Sequence, residues 1–84
     1  MNIYAKPGSW GEAQCAEALS QIATTVTTLS KQLDQLWNLS DTRLRLQFNE
    51  RFGDAFEHVD QGMADKIEAF AAVLQKIADE EQQP

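Results

Sequence analysis

An apolar register constrains this chain most strongly: Cys15, Leu19, Ile22, Val26, Leu29, Leu33 and Leu36 follow one another in steps of three and four residues, closed by Trp37. Such steps keep one stripe of an α-helix turned toward a neighbour, so the segment is expected to lie along another helix. The register is a packing signal and names no substrate.

The second half repeats the spacing with larger side chains: Phe48, Phe52, Phe56, Val59, Met63, Ile67, Phe70, Leu74 and Ile77. Charged residues fill its other faces, including Asp41 with Arg45 and Lys76 with Glu80 at the favourable four-residue spacing. These patterns predict an all-α antiparallel helical hairpin of two long amphipathic helices in a single domain, 1–84. An N-terminal arm (1–8) ends in the turn signal Pro7-Gly8, and Ser9 with Glu12 has the spacing of a capping box that opens helix 1 (9–37). A turn (38–41) offers Ser40 or Asp41 as the next cap, helix 2 covers 42–79, and a polar tail follows (80–84). Helix 2 is expected to be continuous because the apolar spacing passes through Val59 and Met63 unshifted. The alternative is a bend or break near Gly62 that gives three helices. Leu29 and Phe56 are expected in buried layers.

At 84 residues a single core is thin, and self-association or a partner often completes it. The four phenylalanines exceed what the Ile, Val and Leu stripe of helix 1 can cover, which points to a homodimer, a docked partner or a three-helix fold. From Ala18 to Ser30 helix 1 carries no charge, and Ala16, Ser20, Ala23, Thr27 and Ser30 form a second stripe of small residues beside the apolar one. Small neutral side chains let another helix approach closely, so Ser20, Ala23 and Thr27 are candidate partner-binding residues.

The formal charge is −6. Residues 1–42 carry Lys6 and Lys31 against Glu12, Glu17, Asp34 and Asp41, while residues 43–84 carry five basic against nine acidic groups. Direct nucleic-acid binding is therefore not expected, since it needs clustered Lys and Arg to displace counterions. Arg43, Arg45 and Arg51 form the one basic cluster, interleaved with Asp41 and Glu50, and are read as a solvated helix flank. Asp54, Glu57, Asp60 and Asp65 form a second candidate partner-binding surface. They would suit a small acidic phage-type inhibitor that occupies the basic site of a nucleic-acid-binding machine.

No chemistry is indicated. His58 stands near Asp54, Glu57 and Asp60 without the three converging ligands of a metal site, Cys15 lies on the apolar stripe as an inert thiol, and no Gly-rich phosphate loop occurs. No catalytic, cofactor-binding or metal-binding residue is expected, and an enzyme is not. The sequence carries no membrane span and no cleaved signal pattern, so a cytoplasmic location is expected, with signal-independent export as the alternative.

The hairpin with Trp37-Asn38-Leu39 at its bend and Phe48 and Phe52 at the start of the second helix resembles the small WXG-type proteins of type VII secretion systems. Leu39 occupies the position where that family has glycine, and Asp79-Glu80-Glu81 contains no Tyr-x-x-x-acid export signal. Phe56-Glu57-His58-Val59-Asp60 has a related spacing. The resemblance implies a dimeric export partner. The leading expectation is broader: a non-enzymatic protein–protein interaction module that acts through helical packing faces, as a dimer or bound to a larger partner.

Overall fold

The computed structural model describes residues 7–82 and contains three helices, α1 (Glu12–Leu39), α2 (Thr42–Phe52) and α3 (Gln61–Gln82). The fold is all-α, with no strand among the described residues, and α1 and α3 pack as an antiparallel hairpin. Met1 to Lys6, including Ile3 and Tyr4 of the expected arm, lie outside the described residues, as do Gln83 and Pro84.

The helix ends follow from local hydrogen bonding. α1 starts two residues later than the Ser9 cap predicts: Gly11 is the N-cap, and the Gln14 side chain accepts from its backbone N–H at 3.0 Å. Half of a capping box thus forms on Gly11 and Gln14 instead of Ser9 and Glu12. At the other end the Ser40 N–H donates to the Leu36 carbonyl at 3.0 Å, carrying α1 past Trp37 to Leu39. The connection is short, as expected, because Asp41 immediately caps α2 by accepting from the Leu44 N–H at 2.9 Å.

The expected continuous helix from 42 to 79 is interrupted, and the interruption precedes Gly62. Gly53 ends α2 at φ 53° and ψ −133°, a backbone conformation open to glycine and costly for other residues. Three short bonds then turn the chain, from the N–H groups of Ala55, Glu57 and Val59 to the carbonyls of Phe52, Asp54 and Phe56 at 3.1, 3.1 and 3.2 Å. Asp60 restarts the helix by accepting from the Met63 N–H at 2.9 Å. Gly62 sits inside the first turn of α3, where its conformation needs no glycine.

The core is built from alanine. Ala16, Ala23, Ala64, Ala71 and Ala78 are 2–5% exposed, and among the described residues Val26 is the one larger side chain that is buried. Ala16 and Ala23 recur at seven residues in α1, as do Ala64, Ala71 and Ala78 in α3. Seven residues return a helix to nearly the same direction, so each set forms a column. Facing columns of alanine let two helix axes approach toward the short end of the usual range of about 8–10 Å. The Ser20 hydroxyl crosses the seam and donates to Glu68 Oε1 at 3.3 Å.

The molecule is elongated, with extents of 61 × 26 × 17 Å and a radius of gyration of 17.5 Å. A compact domain of this length has a radius of gyration of about 12 Å. The length comes from a two-helix seam with no third layer across it. α2 contributes no buried residue and packs only weakly against the hairpin.

Candidate functional site

Each alanine of the α3 seam directly follows a large apolar residue that remains half exposed: Met63 before Ala64, Phe70 before Ala71, Ile77 before Ala78. α1 repeats the arrangement with Ile22 before Ala23, and Leu29 and Leu36 extend the outer column. At about 100° per residue, the outer column is turned roughly a quarter of the helix circumference away from the seam. Leu19, Leu33, Ile67 and Leu74 fall between the two columns and are partly covered. Ile22 is 48% exposed, Leu36 49% and Phe70 54%.

The two outer columns share one side of the hairpin. A half-turn about the normal to an antiparallel helix pair exchanges the helices without exchanging the sides. The Ser20–Glu68 bond sets the register, so Ile22 lies at a level between Met63 and Phe70, while Leu29 and Leu36 continue the same side past the start of α3 toward the bend. The opposite side is polar and small, a shallow groove lined by Ala13, Glu17, Ser20, Glu68, Ala72 and Gln75.

Leu29 and Phe56, expected to be buried, are 36% and 44% exposed. The reasons differ: Leu29 stands on the outer column, clear of the small residues that meet α3, whereas Phe56 lies in the turn between α2 and α3, where no helix stripe continues. Ala23 is buried within the chain by the α3 seam, so it is not available to another molecule. Ser20 is half buried and bonded to Glu68, and Thr27 is half buried. The uncharged face of α1 thus turns partly inward, and the expected second neighbour of Ala23 is α3 itself.

The apolar side widens at the bend. Leu33, Leu36 and Trp37 of α1, Phe48 and Phe52 of α2, and Phe56 and Val59 of the turn line an open cleft of about 530 Å³. It exists because Gly53 diverts the chain, so α2 stands off α1 instead of continuing the α3 seam. The aromatic rings form a ladder: Phe48 and Phe52 are 6.4 Å apart and tilted, and Phe52 meets Phe56 edge-on at 5.5 Å. Asp34, Glu57 and Asp60 stand at the edge of the cleft.

The candidate acidic surface is dispersed among different tasks. Asp60 caps α3, Asp65 accepts from the Gln61 side-chain amide at 3.1 Å, and Asp54 and Glu57 are exposed in the turn. Arg45 departs from the solvated flank expected of it. It is half buried, with its guanidinium 6.0 Å from the centre of the Trp37 ring. Among the described residues, no group of three His, Cys, Asp or Glu side chains could hold a metal ion, and no helix is long and apolar enough to cross a membrane. Cys15 is half buried beside Ala16, at the start of the α1 outer column.

Compared with protein-family models, characterised proteins and solved structures, the chain has no match. Its functional reading therefore rests on the geometry of the apolar side and cleft.

Proposed function

We propose that this chain is a non-enzymatic protein–protein interaction module that binds through the continuous apolar side of the α1–α3 hairpin and the aromatic cleft at its bend. The observation that carries this reading is the inverted burial, with alanines inside and Ile22, Leu29, Leu36, Met63, Phe70 and Ile77 outside. Isolated exposed apolar residues are ordinary, but a contiguous side of two helices is the mark of a contact surface. α2 supports the same reading. It has 11 residues and none buried, while isolated helices under about 12–15 residues are marginal in water. A partner seated in the cleft would supply the packing that α2 lacks.

The acidic-inhibitor reading has weaker support, since Asp60 and Asp65 are engaged in helix-start contacts and Asp54 and Glu57 alone make a small charged patch. The packing reading is tested by placing a photo-reactive amino acid at Phe70 or at Asp65 in chains expressed in cells. Crosslinks to protein from position 70, with few or none from 65, are expected. Absence of crosslinks from position 70 would overturn the reading.

A further inference from the structure

The area left uncovered defines the occupant further. A folded monomer of this mass exposes about 5,000 Å², whereas this chain exposes 6885 Å². The surplus, about 1,900 Å², belongs to the whole elongated chain, and it is large enough to supply the roughly 1,000–2,500 Å² per chain that an obligate homodimer buries. We infer that the apolar side is covered by a second copy of this chain, laid antiparallel across it so that the two hairpins form a four-helix bundle. This inference rests on the interaction reading above and names its partner.

Shape and charge both fit self-pairing. A two-fold interface places the same patch on both subunits, so the patch must complement itself. Here both helices present large residues at the same seven-residue interval on one side, which lets the columns of two copies interleave. The chain carries a formal charge of −6, yet its carboxylates avoid the outer columns. The residues flanking the α1 column are Ala18, Gln21, Thr25, Thr28, Gln32 and Gln35, all uncharged. Thr25 further turns its hydroxyl back to the Gln21 carbonyl at 3.0 Å, which satisfies the hydroxyl within its own helix. The α3 column is flanked by Ala69 and Val73 together with Lys66, Lys76 and Glu80, so the α1 columns of two copies meet free of charge and the charges of the interface are confined to α3.

Charge also sets the direction. Lys76 immediately precedes Ile77 in the C-terminal half of α3, while Glu57 and Asp60 edge the cleft at the other end of the hairpin. An antiparallel arrangement brings each α3 C-terminal half, with Phe70 and Ile77, toward the aromatic cleft of the other copy, and Lys76 toward its acidic edge. A parallel arrangement would set the two acidic edges against each other.

Sedimentation equilibrium of the intact chain at high micromolar concentration is expected to give twice the 9.4 kDa chain mass. Phe70→Glu and Ile22→Lys, at half-exposed positions, are expected to weaken association about thirtyfold or more while helical circular dichroism is retained. Lys76→Glu and Glu57→Lys are each expected to weaken the dimer, and mixing the two variants is expected to restore a heterodimer. A monomeric wild type, or a dimer indifferent to Phe70→Glu and Ile22→Lys, would overturn the inference. So would a charge exchange that fails to restore pairing, because the antiparallel arrangement requires it. The broader reading is judged separately: it survives a monomeric result if the probe at position 70 crosslinks to a different protein, and falls with it if that probe crosslinks to nothing.

Discussion

The guanidinium of Arg45 lies 6.0 Å from the centre of the Trp37 ring, and its Nη2 donates to the Asn38 carbonyl at 3.4 Å. One side chain from the first turn of α2 thus folds over the last turns of α1 and fixes the corner of the hairpin. The arrangement carries a cost, since Arg45 Nε is buried without a hydrogen-bond partner. An unsatisfied buried group costs about 1–3 kcal/mol, against about 0.5–1 kcal/mol for an exposed cation–π contact. Arg45→Met, which keeps the stem and removes the orphaned donor, is expected to melt at or above the wild-type temperature. Arg45→Ala also removes the stem packing and is expected to melt below it. A lower melting temperature for the Met variant than for the Ala variant would contradict this account.

The alanine seam makes a second prediction. Ala71→Leu inserts three carbons where two helices meet closely, and overpacking of this kind costs about 1–3 kcal/mol. The loss should be visible in urea unfolding at every protein concentration. Leu29→Ala acts differently, because Leu29 is 36% exposed in the single chain. Its cost is expected to grow with protein concentration, as it does for any residue whose burial depends on association. Equal, concentration-independent losses for the two variants would place Leu29 in the hairpin core after all.

Asp60 provides a third test. It caps α3 through the Met63 N–H, so Asp60→Ala is expected to cost about 0.5–2 kcal/mol and Asp60→Asn much less. Chemical denaturation separates the two. If Asn is as damaging as Ala, the carboxylate matters for its charge at the cleft edge more than for the cap.

Gly53 gives a fourth. With φ at 53° and ψ at −133°, a side chain there is expected to cost about 1–3 kcal/mol, although the added Cβ would meet nothing closer than the Asn49 carbonyl at 4.0 Å. Gly53→Ala should therefore lower the unfolding midpoint through backbone strain without a steric clash. A rise in both helicity and stability would show instead that α2 and α3 favour one continuous helix.

The helices and their antiparallel arrangement were legible in the sequence because hydrophobic periodicity survives without knowledge of the partner. The side of the stripe that meets the partner was not. Hydropathy ranks Leu29 and Phe70 above Ala23 and Ala71, whereas close helix approach selects for small volume, and here volume prevailed. The seven-residue recurrence of Ala64, Ala71 and Ala78 was the available signal. The break was displaced for a related reason: an apolar rhythm through Phe52, Phe56, Val59 and Met63 is compatible with a turn built from short hydrogen bonds, and only the positive φ separates Gly53 from Gly62. Arg45 was read as solvated because its contact with Trp37 depends on the corner geometry, which spacing does not encode.

Because the hairpin closes on alanine, its fold and its exposed apolar side are written in separate residues. Substitutions along Ile22, Leu29 and Phe70 can reshape the exposed side while leaving the seam intact, whereas larger side chains in the seam would force the two helices apart. Descendants of such a chain would diverge quickly on one side and hardly at all along the line where the two helices touch.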